Sequence, residues 1–393
     1  MAEAASLSPL TSGLSLGALR VQEFPWTADT VYLNNASIGP LPERTRCALE
    51  AFNRKRAAPH QLPDRDIMAM MSASRRLVAD LIGAVPEEIA LSINTGFGLS
   101  LAARALPLKA GDIVLASDKE FPANVYPWML LKDIGVTLEL APTTREGWPD
   151  ESRLLERLTD PRVRVLAVSL VQFSNGYTVD LSRLSRATRA SGTYLVVDAI
   201  QAVGQLPLDL KETPVDILSC GAQKWLLSPW GSGFVYVRRE LIRELQPSMT
   251  GWMAFEGTDD FSRLTQYNDS LRGDARRFEL ITLPYQEFAG MNASLELLRS
   301  VGIPRIAQHL QLLHAPVLRW AERRGARVVS PTGERGSGIL CVAPPDVGSA
   351  FRALKAAGVV ASLREGAIRL SPHFYNTVEE MERVAEILED ASH

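Results

Sequence analysis

The chain has 393 residues, 46% hydrophobic and 22% charged, with a net charge of −3 and an isoelectric point near 6.1. That composition supports a large folded domain plus a smaller one, and its near-neutral balance carries neither a nucleic-acid footprint nor a polybasic membrane patch, which leaves small metabolites as partners. Cys47, Cys220 and Cys341 lack CxxC spacing, which argues against a disulfide framework or zinc site. The first twenty residues do not read as a signal peptide and no run of eighteen apolar residues occurs, so a cytoplasmic location is expected.

Residues 1–30 form an N-terminal arm, either flexible or packed as a short segment. Val31 to Pro42 reads as a strand followed by a Gly/Pro turn, and a helix continues through about Arg56. Asn35 and Ala36 lie in that turn, a common place for Asn. A helix from about Arg65 to Ile82 leads to IALSINTGFGLSLAARAL, where a strand meets a glycine-containing turn that opens a helix. Such a turn points backbone N–H groups and a positive dipole end at an anion, with phosphate the obvious choice. Thr95 supplies a hydroxyl, Gly96 and Gly98 permit close approach, and Asn94 joins the cup or caps the helix.

A strand at Ile113 to Ala116 precedes the segment SDKEFPANVYPWMLL. The buried-strand pattern VRVLAVSLVQFSNGYTVDL ends in Gln172, Ser174 and Asn175, and Asp180 starts a helix through about Ala190. Alternation of strand and helix predicts a mostly parallel sheet covered on both faces. From about Leu283 the pattern changes to helices at Pro284 to Ser300 and Pro304 to about Arg323. Short strands follow at Ala326 to Val329, Gly338 to Val342, Val359 to Leu363 and Ile368 to Leu370. The expected division is therefore an arm at 1–30, a large α/β domain at 31–282 and a small α+β domain at 283–393.

The stretch from Thr193 to Val237 carries the chemistry. Tyr194 to Val197 is a short apolar run closed by Asp198, which puts a carboxylate at the carboxyl end of a parallel strand, where ligands bind in open α/β sheets. Asp216 to Cys220 ends in Gly221, Ala222, Gln223 and Lys224, so the lysine emerges from a small-residue turn between strands. A lysine and an aspartate delivered to one cleft suit pyridoxal phosphate (PLP). The lysine forms a Schiff base, and the carboxylate keeps the ring nitrogen protonated so that the ring accepts electrons. The bland alternative is an ordinary ion pair at the surface.

The segments VDAIQAVGQLPLD and AQKWLLSPWGSGFVYV resemble the class V aminotransferase family of PLP enzymes. That group includes cysteine desulfurases, isopenicillin N epimerase-like proteins and kynureninase. The likeness runs from about Tyr32 to the C-terminus. It implies a fold-type I PLP-dependent transferase with a mostly parallel sheet, and it assigns Asp198 to the pyridine nitrogen, Gln201 to the ring oxygen or nearby, and Lys224 to the Schiff base. Thr95 and Gly96 match the family's phosphate turn. Phe121 stands where cysteine desulfurases carry a stacking histidine; it either stacks on the ring or plugs the core, and it cannot transfer a proton. The Ser-Asn turn implies that Asn175 approaches the ring oxygen and substrate carboxylate. Gln223 replaces a histidine before the lysine and keeps a donor for phosphate without charge. DARRFELITLPYQ resembles a segment whose threonine reaches the neighbouring protomer's phosphate, which makes Thr282 the equivalent residue and implies a homodimer with shared sites.

SLREGAIRLSPHFYNTVEEME resembles the terminal motif whose arginine grips the substrate α-carboxylate. Arg369 fits that position, with Arg364 as the alternative and Asn35 as a further substrate contact; His373 reads as structural. Between Val359 and Arg369 there is no cysteine and little room for the mobile cysteine loop of desulfurases. The expectation is a PLP-dependent, aminotransferase-like enzyme acting at the Cα of a small amino acid. The alternatives are a C–S lyase or cysteine desulfurase-like enzyme, or an epimerase, without a persulfide cysteine; a non-catalytic binding protein would lack Lys224 or Asp198.

Overall fold

The computed structural model describes residues 15–391; the first fourteen positions of the expected arm, and the last two residues, lie outside the described residues. The strands run in chain order as β1 (Val31–Tyr32), β2 (Ile89–Ser92), β3 (Ile113–Ser117), β4 (Thr137–Ala141), β5 (Val163–Ser169), β6 (Tyr194–Asp198), β7 (Ile217–Gly221), β8 (Gly233–Val237), β9 (Arg327–Val328), β10 (Leu340–Ala343), β11 (Val359–Val360), β12 (Ser362–Arg364) and β13 (Ala367–Leu370).

β2 to β8 form one seven-stranded sheet in the order β2-β8-β7-β6-β5-β3-β4. Only β8 runs against its neighbours. The strands read as continuous apolar runs because both faces are covered. Ile113, Leu115, Leu166, Val168, Leu195 and Val197 enter one core, while Val114, Ala116, Val165, Ala167 and Val196 enter the other, the period-two alternation of a pleated strand. Some helices start where the sequence supplies side-chain caps. Asp180 accepts the Arg183 N–H at 2.9 Å ahead of Leu181–Ser191, and Thr377 and Glu380 form a capping box ahead of Val378–Asp390.

β12, β13, β10 and β9 form a smaller antiparallel sheet. Residues from the expected arm and from the start of the expected large domain are tied to the C-terminal part of the chain around it. The helix Leu16–Glu23 sends Arg20 to Glu380 at 2.6 Å, β1 pairs in parallel with β11, and the Ser371 N–H donates to the Leu33 carbonyl at 2.8 Å. The chain thus passes from the two-stranded β1–β11 pair into the turn 34–38, which is bonded to Ser371, and then into the large domain. The helix Tyr285–Val301, expected to open the small domain, packs instead on Glu43–Ala57 and Asp64–Ile82.

Candidate active site

Parallel strands that end together bring their last residues to one edge. Asp198 closes β6 there, 3% exposed, with Oδ1 accepting the Ile200 N–H at 3.0 Å. Burial pushes its carboxyl up to about 6, opposed by that hydrogen bond and by the charge of Lys224. Lys224 follows the end of β7, and burial pushes its amine down to about 8, with Asp198 working the other way. The amine makes no hydrogen bond or ion pair among the described residues and faces the Phe121 ring, 5.6 Å from its centroid. The Phe121 ring packs edge-on to Phe173 at 5.2 Å.

On the other side of β7, Thr95 opens the helix Thr95–Ala105. Its hydroxyl accepts the Gly221 N–H at 2.8 Å, and its carbonyl accepts Ser219 Oγ at 2.8 Å. The amide oxygen of Gln223 lies over Gly221 beside Thr95: a Cβ on Gly221 would come within 2.5 Å of it. Asn94 caps this helix by accepting the Phe97 N–H at 2.9 Å. The two glycines differ. A Cβ on Gly98 would meet Ser219 Oγ at 2.3 Å and Val235 at 2.6 Å, so Gly98 serves helix-on-sheet packing, not an anion, whereas Gly96 is open apart from Asn94 Oδ1 at 3.4 Å.

Arg369, on β13, is 2% exposed. Its Nη1 donates to the Phe173 carbonyl at 2.8 Å, its Nη2 to Ser37 Oγ at 2.6 Å and its Nε to Ser362 Oγ at 3.2 Å. No carboxylate pairs with it among the described residues, and burial, then the charge of Arg364, pushes it down to about 10. Arg364 is exposed and reaches the same Ser37 hydroxyl at 3.5 Å.

Four further candidate residues have these surroundings. The Asn35 side chain is fully buried and donates to the Ser371 carbonyl and the Tyr375 hydroxyl, both at 3.0 Å; it ties the turn to the small sheet, and Ser37 is the side chain of that turn that meets the arginines. Gln201 donates to the Ala36 carbonyl at 2.9 Å and accepts the Trp225 indole N–H at 2.8 Å, which leaves one amide hydrogen for a ligand. Asn175 donates to the Gly147 carbonyl at 3.0 Å and accepts the Tyr177 N–H at 2.9 Å, so its amide shapes the turn after β5. Thr282 is exposed, and no hydrogen bond links it to the Lys224 group.

His373 is structural, as its sequence context suggests. Nε2 meets the Trp225 carbonyl at 3.0 Å while Nδ1 accepts the Phe374 N–H at 2.8 Å, the pattern of a neutral imidazole, and burial pushes it down to about 4. Sequence reasoning passed over Ser37 and Glu120. Glu120 is a buried carboxylate bonded to Ser169 and Gln172, preceded by residues that read as a solvated turn.

The family model for "Aminotransferase class-V" matches residues 31–384. The chain belongs to the class-V aminotransferase family. It is 30% identical over 308 residues to an uncharacterised aminotransferase, YcbU, of Bacillus subtilis, covering 78% of this chain and 80% of that one. It is 28% identical over 389 residues to an isopenicillin N epimerase of Amycolatopsis lactamdurans, covering 92% and 94%. The apo structure of a cysteine desulfurase from Thermococcus onnurineus NA1 superposes with a TM-score of 0.84 at 24% identity, covering 94% of this chain and 96% of that chain, which shows the shared fold. The fold is therefore fold-type I, and the cofactor of this class-V enzyme is PLP. The residues present fit it: an uncommitted, half-buried amine, a buried carboxylate without a bonded cation, and a glycine-containing helix start that an anion can approach.

Proposed function

We propose that this class-V enzyme acts at the Cα of a small amino acid with aminotransferase-like chemistry. The observation that carries the reading is the Lys224 amine, half-buried, unbonded, facing Phe121 and held near a pKa of 8, close to Asp198 and to a carboxylate-free Arg369. Bound PLP supplies an electron sink that acidifies the substrate Cα.

Lys224 is the covalent attachment point and the base that takes and returns the Cα proton; a pKa near the working pH suits both tasks. Asp198 supplies the negative charge that keeps the ring nitrogen protonated. Thr95, the Gly96 amide and Gln223 would hold the phosphate, the remaining Gln201 N–H would be free to donate to the cofactor, and Phe121 would supply an apolar wall. Arg369 binds the α-carboxylate, which exchanges with the Ser37 hydroxyl, and Arg364 adds charge at the rim. Thr282 completes the phosphate site of a second copy, so the working form is a homodimer. The three free thiols fit a cytoplasmic location, and no described helix is long and apolar enough to cross a membrane.

A second reading, direct C–S lysis, is favoured by one observation. Where a mobile loop would carry a sulfur-accepting cysteine, β12 and β13 are joined only by Glu365 and Gly366, with φ of 45° and 76°. A sulfur leaving group would then depart directly. Epimerisation requires proton delivery to the opposite face of Cα, and Phe121 carries no proton to deliver. The deciding experiment adds a panel of amino acids to the holoenzyme and identifies the released cofactor form and carbon product. Pyridoxamine phosphate with a matching keto acid supports transamination; retained PLP with pyruvate and a thiol or sulfide supports lysis. Cα hydrogen exchange without net product means epimerisation, and no change with any amino acid sinks the reading.

A further inference from the structure

Glu120 is a buried carboxylate that the proposed chemistry leaves without a task. It is 6% exposed, and no arginine, lysine or histidine pairs with it among the described residues. A buried charge without a counterion persists only where donors replace its hydration. Here the donors are neutral. Oε1 accepts the Ser169 N–H at 3.0 Å and Gln172 Nε2 at 2.8 Å, while Oε2 accepts Asn124 Nδ2 at 3.2 Å and meets the Ser169 hydroxyl.

Each donor belongs to a different wall of the site. Ser169 ends β5 as the register partner of Asp198. Gln172 directly precedes Phe173, whose carbonyl holds Arg369 and whose ring packs on Phe121. Asn124 ends the short turn Pro122–Asn124 that follows Phe121, and Glu120 itself precedes Phe121. We propose that Glu120 is a positioning residue: its carboxylate joins the strand end at Ser169 to the two segments that set the Phe121 ring and the Arg369 guanidinium relative to Lys224. This inference rests on the reading of Lys224 given above. Burial raises the Glu120 carboxyl above its ordinary range while the Ser169, Gln172 and Asn124 donors oppose that rise, and in its charged form Glu120 favours the acid form of Asp198, the titratable neighbour it reaches across Ser169.

The test compares two nucleophiles on holoenzyme. Hydroxylamine and aminooxyacetate both attack a lysine-bound cofactor through an aminooxy nitrogen, and only the second carries a carboxylate for Arg369. Glu120→Gln turns an amide NH2 toward existing donors. The variant is expected to retain the visible cofactor band and its far-UV circular dichroism, to react with aminooxyacetate about tenfold more weakly, and to react with hydroxylamine within about twofold of wild type. If Glu120→Gln does not fold, Gln172→Leu cuts only the link toward Phe173 and should show the same selective loss. Equal responses of the variant and wild type to both probes, or an equal loss with both, overturn the proposal. A wild-type protein that forms no visible band with added PLP overturns the Lys224 reading, and this inference with it.

Discussion

Cys341 and Arg369 face one another across β10 and β13 and address consecutive carbonyls: Arg369 Nη1 donates to Phe173 O at 2.8 Å, and Cys341 Sγ lies 3.2 Å from Ser174 O. The thiol is fully buried, and burial pushes it up to about 12. A protonated, enclosed thiol is a poor nucleophile. Cys341→Ala is therefore expected to leave turnover within about twofold, at a stability cost of about 1 kcal/mol. Mass spectrometry of holoenzyme incubated with L-cysteine should find no sulfur added at Cys341; a persulfide there would contradict the prediction.

Lys224 yields a pH prediction. A pKa of about 8 in place of the usual 10.5 leaves the amine neutral in about one molecule in ten at pH 7, instead of about one in three thousand. Only the neutral amine captures an aldehyde. The rate at which apoprotein gains the visible band should rise about tenfold per pH unit below 8 and level off above it. The Asp198 charge raises the lysine, so Asp198→Asn should move the plateau to lower pH. A rate still climbing at pH 10 in wild type would refute the depressed pKa.

Asp198 and Lys224 were legible in the sequence because a charged residue at the end of an apolar run is conspicuous, and strand ends share an edge. The helices at Asp64–Ile82 and Ile303–Arg324 were legible from periodicity, within a residue of the expected bounds. Other features depend on partners distant in sequence. Glu120 follows Asp118 and Lys119 and looks solvated; its burial is set by Ser169 and Gln172, some fifty positions away. Asn35 and Gln201 carry the right chemistry for ligands, but Tyr375 and Trp225 engage their amides, and no local pattern encodes those contacts. The pairing of β1 with β11 joins opposite ends of the chain and escapes any boundary drawn from composition.

The glycines of the helix start separate packing from ligand binding. Gly98→Ala would press a Cβ to 2.3 Å from Ser219 Oγ and should destabilise the fold by about 1–3 kcal/mol in urea unfolding. Gly96→Ala meets nothing nearer than 3.4 Å and should be neutral or stabilising by up to about 1 kcal/mol. Equal losses at both positions would mean that the helix does not lie on β7 and β8 as described.

The shared site proposed for Thr282 is open to subunit mixing. If one copy supplies Lys224 and the other Thr282, random mixtures of inactive Lys224→Ala and Thr282→Ala chains form hybrids with one intact site, and activity should recover to about a quarter of wild type. No recovery, with each variant still able to form oligomers, would confine every catalytic group to a single chain.

Arg369 lies closest to a decision about the substrate. Arg369→Gln keeps a donor near Phe173 and Ser37 but removes the charged fork, so KM for a reacting amino acid should rise about thirtyfold or more while the visible band persists. The same substitution removes a positive charge that depresses Lys224. Losing a like charge raises the amine's pKa, so the plateau of cofactor capture should move to higher pH, opposite to the effect of Asp198→Asn. Arg364→Gln acts on Lys224 in the same direction more weakly, being the smaller contribution, and should raise KM less because its guanidinium is exposed and only 3.5 Å contact ties it to Ser37. A KM effect from Arg364→Gln equal to that from Arg369→Gln would transfer the α-carboxylate to Arg364 and leave Arg369 as a buried strut between Phe173 and Ser37.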